Sequence, residues 1–475
     1  MCIKKSFALS VLAGLEMVLP CQELAQTFSR LYSFSETSTP SFTNQDGANP
    51  YGRLTVLGNT LFGAAQYGGN TGNGVVFKLN TDGTAFTVLH SFTSLHTNSS
   101  GVAYNSDGAN PMGTLVVSGD SLYGTTCGGG VSGNGTVFAI KTDGSGFQIL
   151  HSFSDYAPNG DLALSGNSLY GLSGYWSSGG GTLFKISIDG GSFSTLLVFD
   201  QNSQYEPVGG LSLWGDALYG ALNQARYETG SGMTFRINTD GTNLNTIYSF
   251  SGLINFTNVR TNADGASPNG NLVISGSTVF GTTWGGGILG YGTVFALNLD
   301  GTAFRILHNF TGGEDGFYPP QGLILSNGLL YGVAAADTVW GVPIGFTSFS
   351  MNANGTGFRT LHYERSFSNG SSPGGLVLSG TTLYGMSAYG AASGNGMIFS
   401  ITLQPSLTLT TSGQNLLLSW PTNFTGFALQ QSVDISPTGW TTYTLQSPLT
   451  ISNGQFVVTI PHTATNTKQF FRLSQ

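Results

Sequence analysis

The sequence predicts an all-β protein: a seven-bladed β-propeller closed by an N-terminal strand, followed by a small C-terminal β-sandwich. Three observations predict it. A Pro-x-Gly-x-(Leu/Ile/Val) motif occurs seven times, at Pro50, Pro111, Pro158, Pro207, Pro268, Pro320 and Pro373. The length variation of the repeat falls in alternate connections. A strand that the seventh repeat lacks stands ahead of the first. Repeats of about fifty residues with four short strands each fit the blades of a propeller.

Strand a of each repeat opens at the Pro, a first position where a missing N–H is tolerated. Strand b ends at a (Leu/Val)-(Phe/Tyr)-Gly triplet whose glycines are Gly63, Gly124, Gly171, Gly220, Gly281, Gly332 and Gly385. The Pro-to-Gly distance is 13 residues five times and 12 twice. Strand c leads to Phe77, Phe138, Phe184, Phe235, Phe295, Phe349 and Phe399. Strand d closes 15 residues later in all six complete repeats, at Phe92, Phe153, Phe199, Phe250, Phe310 and Glu364. The a–b and c–d connections are therefore tight hairpins, built on turns such as Asp82-Gly83-Thr84. The b–c distance runs from 13 to 17 residues and the d–a distance from 5 to 19. In a meander, alternate connections share one edge of the sheet, so one face is predicted to carry short turns and the other variable loops.

The seventh repeat runs from strand c into Gln404-Pro405 without a strand d, and Phe28–Phe34 supplies the missing strand at the other end of the chain. Pairing the two closes the ring and removes exposed sheet edges. The glycines of strand a and of the triplet are expected to let seven sheets approach one axis, with the strand c and d aromatics packed between blades.

The run Gly-Thr-Val-Phe-x-(Leu/Ile)-x-x-Asp-Gly-Thr-x-Phe-x-x-Leu-His-x-Phe, clearest at 292–310 and 135–153, resembles the GloVer (Gloeo/Verruco) repeat of exported bacterial choice-of-anchor proteins. The resemblance covers about 28–402. Repeats 3, 4 and 6 depart from it, with Asp189-Gly190-Gly191, Asn354-Gly355-Thr356 and the terminal Glu364 among the changes. It implies export and a repeat architecture, and it carries no activity with it.

Export is also the expectation from the N-terminus. Lys4 and Lys5 precede an apolar run from Phe7 to Leu19, the pattern of a signal peptide over residues 1–26. In Val18-Leu19-Pro20-Cys21, Pro20 stands where a lipoprotein signal needs a small residue, so lipidation of Cys21 is not favoured. Cys127 is then the one cysteine left and forms no internal disulfide. No later stretch is long and apolar enough for a membrane span.

Composition narrows the class further. The 475 residues include 71 Gly, about twice the usual share. Aromatics at 12% and hydrophobic residues at 40% exclude a disordered chain. With 15 Lys and Arg against 23 Asp and Glu, the net charge of -8 opposes nucleic-acid binding. The propeller is expected over 27–403. Residues 404–475 lack the repeat and read as short strands, Ser406–Thr411, Leu416–Trp420, Phe427–Gln431, Trp440–Thr444, Gln455–Ile460 and Phe470–Leu473, of an immunoglobulin- or fibronectin-III-like sandwich.

No metal or cofactor site is expected. His90, His151, His308 and His362 occupy one position in four repeats and cannot converge on one ion, and no Cys or His pair has ligand spacing. Glycine runs such as Gly128-Gly129-Gly130 and Gly285-Gly286-Gly287 precede strands rather than a helix, so they form no phosphate cradle. The variable loops concentrate the remaining chemistry. The b–c loops carry Tyr67, Tyr175, Trp176, Tyr227, Trp284, Trp340 and Tyr389, with Cys127 at the equivalent place in repeat 2. The d–a loops carry Asp46, Asp107, Asp264 and Asp315. Aromatics beside acceptors suit sugar stacking and hydroxyl hydrogen bonds, whereas Asp-Gly pairs are also turn formers. The expectation is a non-enzymatic binding or surface-display protein that takes a glycan or a protein on this face. The alternatives are a polysaccharide-degrading enzyme using the repeat-breaking acids Glu206 and Glu228, and a purely structural surface protein.

Overall fold

In a computed structural model of the chain, the described residues are 26–475 without 159, 175–179, 201–204, 225–231, 257–258, 340–341, 366–369, 406, 413–414, 422–426, 433–438, 446–448, 453–454, 462–469 and 475. The expected leader lies outside them. All regular structure among the described residues is β-strand, and the chain divides into two compact units, one of Phe28–Ser379 with Leu383–Ile401 and one made chiefly of Thr402–Gln475.

The first unit is propeller-like: a series of antiparallel sheets of four or five strands, each built from one repeat. The first sheet is Ala48–Leu57, Thr60–Tyr67, Val75–Asn80 and Thr87–Ser91, the expected a, b, c and d in meander order. The same order recurs over 109–152, 163–199, 205–249, 266–309 and 324–364. The last sheet holds Ser371–Pro373, Val377–Ser379, Thr382–Tyr389 and Met397–Thr402, and the N-terminal strand Thr27–Ser33 pairs with Met397–Thr402 as its outer strand. Phe34 N donates to Gly396 O at 3.1 Å, the bond that Phe92 N makes to Gly74 O inside the first repeat. The c–d hairpins close on Asx turns, as in Asp82, whose Oδ1 accepts from Thr84 N at 2.9 Å.

The inner strands meet through glycine. A Cβ on Gly52 would lie 2.7 Å from Gly113 C, one on Gly113 2.6 Å from Gly160 O, and one on Gly209 2.9 Å from Gly270 C. Gly160 is equally crowded by Gly209, Gly270 by Gly322, and Gly374 by Gly52, so the contact runs through the first six sheets and recurs between the last and the first. Charge crosses the same space. Asp161 accepts from Thr114 N at 2.6 Å, Arg53 Nη2 at 3.2 Å and Asn271 Nδ2 at 2.9 Å, joining strands a of four repeats.

The triplet glycines have a different role from the one expected. Gly63 pairs with Phe77 across strands b and c, and a Cβ there would lie 2.6 Å from Phe77 Cζ and 3.0 Å from Leu54 Cδ2. Gly124–Phe138, Gly220–Phe235, Gly281–Phe295 and Gly332–Phe349 repeat the arrangement. These glycines make room for a ring within their own sheet, not at the axis. The proline register also needs one correction. Pro50, Pro111 and Pro268 each pack on the glycine before strand c of the preceding sheet, at Gly396, Gly74 and Gly232; in repeat 6 the residue on Gly292 is Pro319, not Pro320.

Between sheets the core is aromatic, as expected. The closing Phe of one strand d meets the strand c Phe of the next sheet edge-on, Phe92 to Phe138 at 5.6 Å and Phe310 to Phe349 at 5.4 Å. Two residues earlier, a strand d ring stacks on the Phe after the next c–d turn: His90 on Phe147 and His151 on Phe193 at 3.7 Å, Tyr248 on Phe304 at 3.9 Å, His308 on Phe358 at 3.8 Å. The N-terminal strand fits both sides of this pattern. His362 stacks on Phe28 at 4.0 Å, and Tyr32 stacks on Phe86 at 3.9 Å. Where Glu364 replaces the closing Phe, its strand c partner Phe346 is buried and stacks on Phe399 at 4.9 Å, restoring the lost ring from the neighbouring strand.

The second unit has two antiparallel sheets. One pairs Thr408–Ser412, Asn415–Pro421, Gln455–Pro461 and Thr450–Ser452; the other pairs Thr441–Thr442, Ala428–Ser432 and Phe470–Ser474. Thr450–Ser452 is a strand the sequence pattern missed. Leu418, Trp420, Val458 and Ile460 of the first sheet and Leu429 of the second are buried.

The axial contact can be tested at Gly113, which has φ +83° and faces Gly160 O. Gly113→Ala is expected to cost about 2–4 kcal/mol in denaturant unfolding, from left-handed strain plus the clash. Gly119→Ala, at φ +61° with nothing within 4 Å, is expected to cost about 1 kcal/mol. Equal losses would contradict the contact.

Candidate functional site

The d–a and b–c loops are held by a four-residue device, Asn-x-Asp-Gly, at Asn44–Gly47, Asn105–Gly108 and Asn262–Gly265. The Asn side chain ties the two loops together. Asn105 Oδ1 accepts from Gly108 N and Gly130 N, each at 2.9 Å, while its Nδ2 donates to Thr93 O and Gly108 O. Asn44 and Asn262 do the same around Gly69 and Gly287.

The Asp ties the loop back to strand d. Asp46 accepts from Tyr32 Oη at 2.8 Å and Ser35 N at 2.9 Å, and Asp264 from Tyr248 Oη at 3.0 Å and Ser251 N at 2.9 Å. Asp107 pairs with His90 Nε2 at 3.0 Å and accepts from Thr93 N and Oγ1; Asp315 pairs with His308 Nε2 at 2.9 Å and accepts from Thr311 N and Oγ1. Both oxygens of each carboxylate are thus occupied, and Asp46, Asp107 and Asp264 are only 6–8% exposed. These four residues brace the face instead of offering acceptors to a ligand, and the bracing is not the Asx turn expected for an Asp-Gly pair. Burial pushes the Asp107 and Asp315 carboxyls up, but the bonds from His and Thr outweigh it and hold both below the usual carboxylate range.

The structure brings two of the predicted aromatics together. Tyr67 of repeat 1 and Tyr389 of repeat 7 line one cavity of about 640 Å³ and are 42% and 46% exposed. Burial pushes the Tyr67 hydroxyl up, and Cys127 and Tyr389 lie near enough to add to the shift. The Cys127 thiol itself is pushed up to about 11 by burial, so it is no nucleophile at neutral pH. The other lining residues were not anticipated: Phe42, Thr37, Ser41, Thr71, and the asparagines Asn49, Asn73, Asn110 and Asn395. Phe42 is 62% exposed at φ 52°, a conformation a bulky residue rarely takes, in a loop closed by Ser38 N to Thr43 O and Phe42 N to Ser38 O, both 2.8 Å. Each Asn donates its amide to a backbone carbonyl: Asn49 to Ala388 at 2.9 Å, Asn73 to Thr93 at 2.7 Å, Asn110 to Gln66 at 3.1 Å and Asn395 to Ser35 at 2.7 Å.

Trp284 stands elsewhere. It stacks on Tyr318 at 4.3 Å and lines a second cavity of about 320 Å³ with Tyr51, Met112, Asp161, Glu206 and Asn271, beside the axial contacts. Asp161 is spent there on its three bonds. Tyr175, Trp176, Tyr227, Trp340 and Glu228 lie outside the described residues. Among the described residues no group of three His, Cys, Asp or Glu side chains could hold a metal ion, and no helix is long and apolar enough to cross a membrane.

The sequence profile of the Gloeobacter/Verrucomicrobia repeat matches residues 93–261 and 252–457. The chain belongs to the Gloeobacter/Verrucomicrobia repeat family. The second match of this repeat runs past the last sheet of the first unit into the C-terminal segment. No curated protein sequence matches the chain. Solved structures similar to it include an oligogalacturonate lyase in complex with manganese, at 10% identity and TM-score 0.49 over 80% of this chain and 96% of the lyase. They also include a polysaccharide lyase, at 10% identity and TM-score 0.47 over 79% and 94%. A chain of a nidogen/laminin complex matches at 15% identity and TM-score 0.35 over 53% and 81%.

The bracing role of Asp107 in this Gloeobacter/Verrucomicrobia repeat protein gives a pH signature. Its carboxyl is lower in the folded state than the unfolded value of about 3.9, so its contribution is full above about pH 4 and is lost as pH falls through the folded value. Asp107→Asn is expected to cost about 1.5–3 kcal/mol at pH 7 by urea unfolding, with the gap narrowing toward pH 3. A gap that stays constant down to pH 3 would contradict the assignment.

Proposed function

We propose that this is an exported, non-enzymatic carbohydrate-binding protein, a closed seven-bladed propeller carrying a small C-terminal sandwich, that serves as a binding module at the cell surface or outside the cell. The observation that carries the binding reading is the cavity where Tyr67 and Tyr389 stand exposed beside amide and hydroxyl groups. Aromatic faces pack on the apolar face of a sugar ring while neighbouring polar groups take its hydroxyls. Export is supported by the basic and apolar leader pattern. The closed propeller is supported by the N-terminal strand in the last sheet and by the glycine contact from Gly374 to Gly52. The sandwich is supported by buried residues drawn from both C-terminal sheets.

The reading as a polysaccharide-degrading enzyme rests on Glu206 and Trp284 in the axial cavity. Its weakness is Asp161, the other acid there, whose oxygens are committed to Arg53, Asn271 and Thr114.

Affinity electrophoresis against a panel of polysaccharides separates the two. Tyr67→Ala and Tyr389→Ala are each expected to weaken binding about 5–10-fold, the loss of one aromatic contact of roughly 1 kcal/mol, and Trp284→Ala to leave it unchanged. Binding that survives both tyrosine substitutions and fails in Trp284→Ala, or depolymerisation abolished by Glu206→Gln, would replace this reading with the axial one.

A further inference from the structure

We infer that the Tyr67–Tyr389 cavity selects uncharged glycans and rejects uronate polymers. The inference rests on the carbohydrate-binding reading and adds the chemical class of the ligand. Three observations carry it. First, every residue lining the cavity is neutral: aromatic, hydroxyl, amide, alanine or glycine. A carboxylate moved from water into such a cavity loses hydration that a charged donor best repays. Arginine or lysine would supply one, and the cavity lining holds neither.

Second, the amides suit a hydroxyl better than an anion. Asn49, Asn73, Asn110 and Asn395 each spend an amide N–H on a backbone carbonyl, which fixes the orientation of the side chain. Each keeps a second N–H, and its Oδ1 accepts nothing from the described residues, so every amide leaves one donor and one acceptor side by side, the pair that a hydroxyl matches on both counts. A carboxylate brings only lone pairs and matches the donor alone.

Third, the acids nearest in sequence to these groups are withdrawn. Asp46 stands three residues before Asn49, but its oxygens are occupied by Tyr32 and Ser35. Asp107, three residues before Asn110, is likewise occupied by His90 and Thr93, so neither of these carboxylates is left to bridge a calcium ion to a uronate. The chain as a whole carries a net charge of -8, which repels a polyanion before it docks.

The test is affinity electrophoresis of the full chain and of Tyr67→Ala in gels containing either a neutral polysaccharide (glucan, galactan or xylan) or polygalacturonate, at low ionic strength with and without calcium. The expected result is retardation by at least one neutral polymer, lost in Tyr67→Ala, with at least tenfold weaker retardation by polygalacturonate under both conditions. Tyr67-dependent retardation by polygalacturonate as strong as by the neutral polymers would overturn the selectivity and leave the carbohydrate site standing. Absence of any Tyr67-dependent retardation would overturn the site and the selectivity together.

Discussion

The closest constraint in the molecule is the approach of one strand a to the next, with backbone against backbone at Gly52, Gly113, Gly160 and Gly209. A side chain at any of these places would push neighbouring sheets apart. The distances between sheets that this contact sets are the ones at which strand d Phe meets strand c Phe, and at which a His or Tyr lies flat on the Phe after the following turn. The aromatic layers farther out can form because the inner strands carry nothing larger than hydrogen there. The polar clasp of Arg53, Asp161 and Asn271 uses the same narrowness: only across a short gap can one carboxylate hold strands from four repeats.

The candidate site depends on the pairing of the N-terminal strand with the last sheet. Tyr389, Gly394 and Asn395 come from the last repeat, Asn49, Tyr67, Thr71 and Asn73 from the first, Asn110 from the second, and Thr37, Ser41 and Phe42 from the segment that follows the N-terminal strand. Those groups share a cavity because Thr27–Ser33 is the outer strand of the last sheet. The Asn-x-Asp-Gly device ties the loop here at Asn44, as it does at Asn105 and Asn262. The connection from the N-terminal strand to the first repeat turns at Ser38–Thr43 and so brings Phe42 to the cavity.

Much of the fold was legible because spacing records topology. Constant a–b and c–d distances marked hairpins, and a displaced strand d marked its pairing with the last sheet. What stayed hidden needed partners rather than positions. A glycine that recurs at a fixed place looks the same whether it yields to another sheet, as Gly113 does, or to a ring across the strand, as Gly63 yields to Phe77. Pro319-Pro320 offers two candidates for one position, and only the contact with Gly292 chooses. Asp107 and Asp315 looked like loop acids because the His partner lies 17 residues back in one repeat and 7 in the other; variable loop length erased the spacing. The site was half legible. Tyr67 and Tyr389 stood out as loop aromatics, whereas the asparagines, recurring as Ala-Asn-Pro at Asn49 and Asn110 and as Gly-Asn-Gly at Asn73 and Asn395, read as turn residues, and only the fold joins them to Phe42.

The central claim, that ligand chemistry sits at the junction of the first and last repeats, is tested most directly by a crystal structure of the protein soaked with a neutral oligosaccharide. The account predicts sugar density against the rings of Tyr67 and Tyr389, with hydroxyls on the asparagine oxygens. Sugar density beside Trp284 and Glu206 in the axial cavity, with the Tyr67–Tyr389 cavity filled by solvent alone, would contradict it.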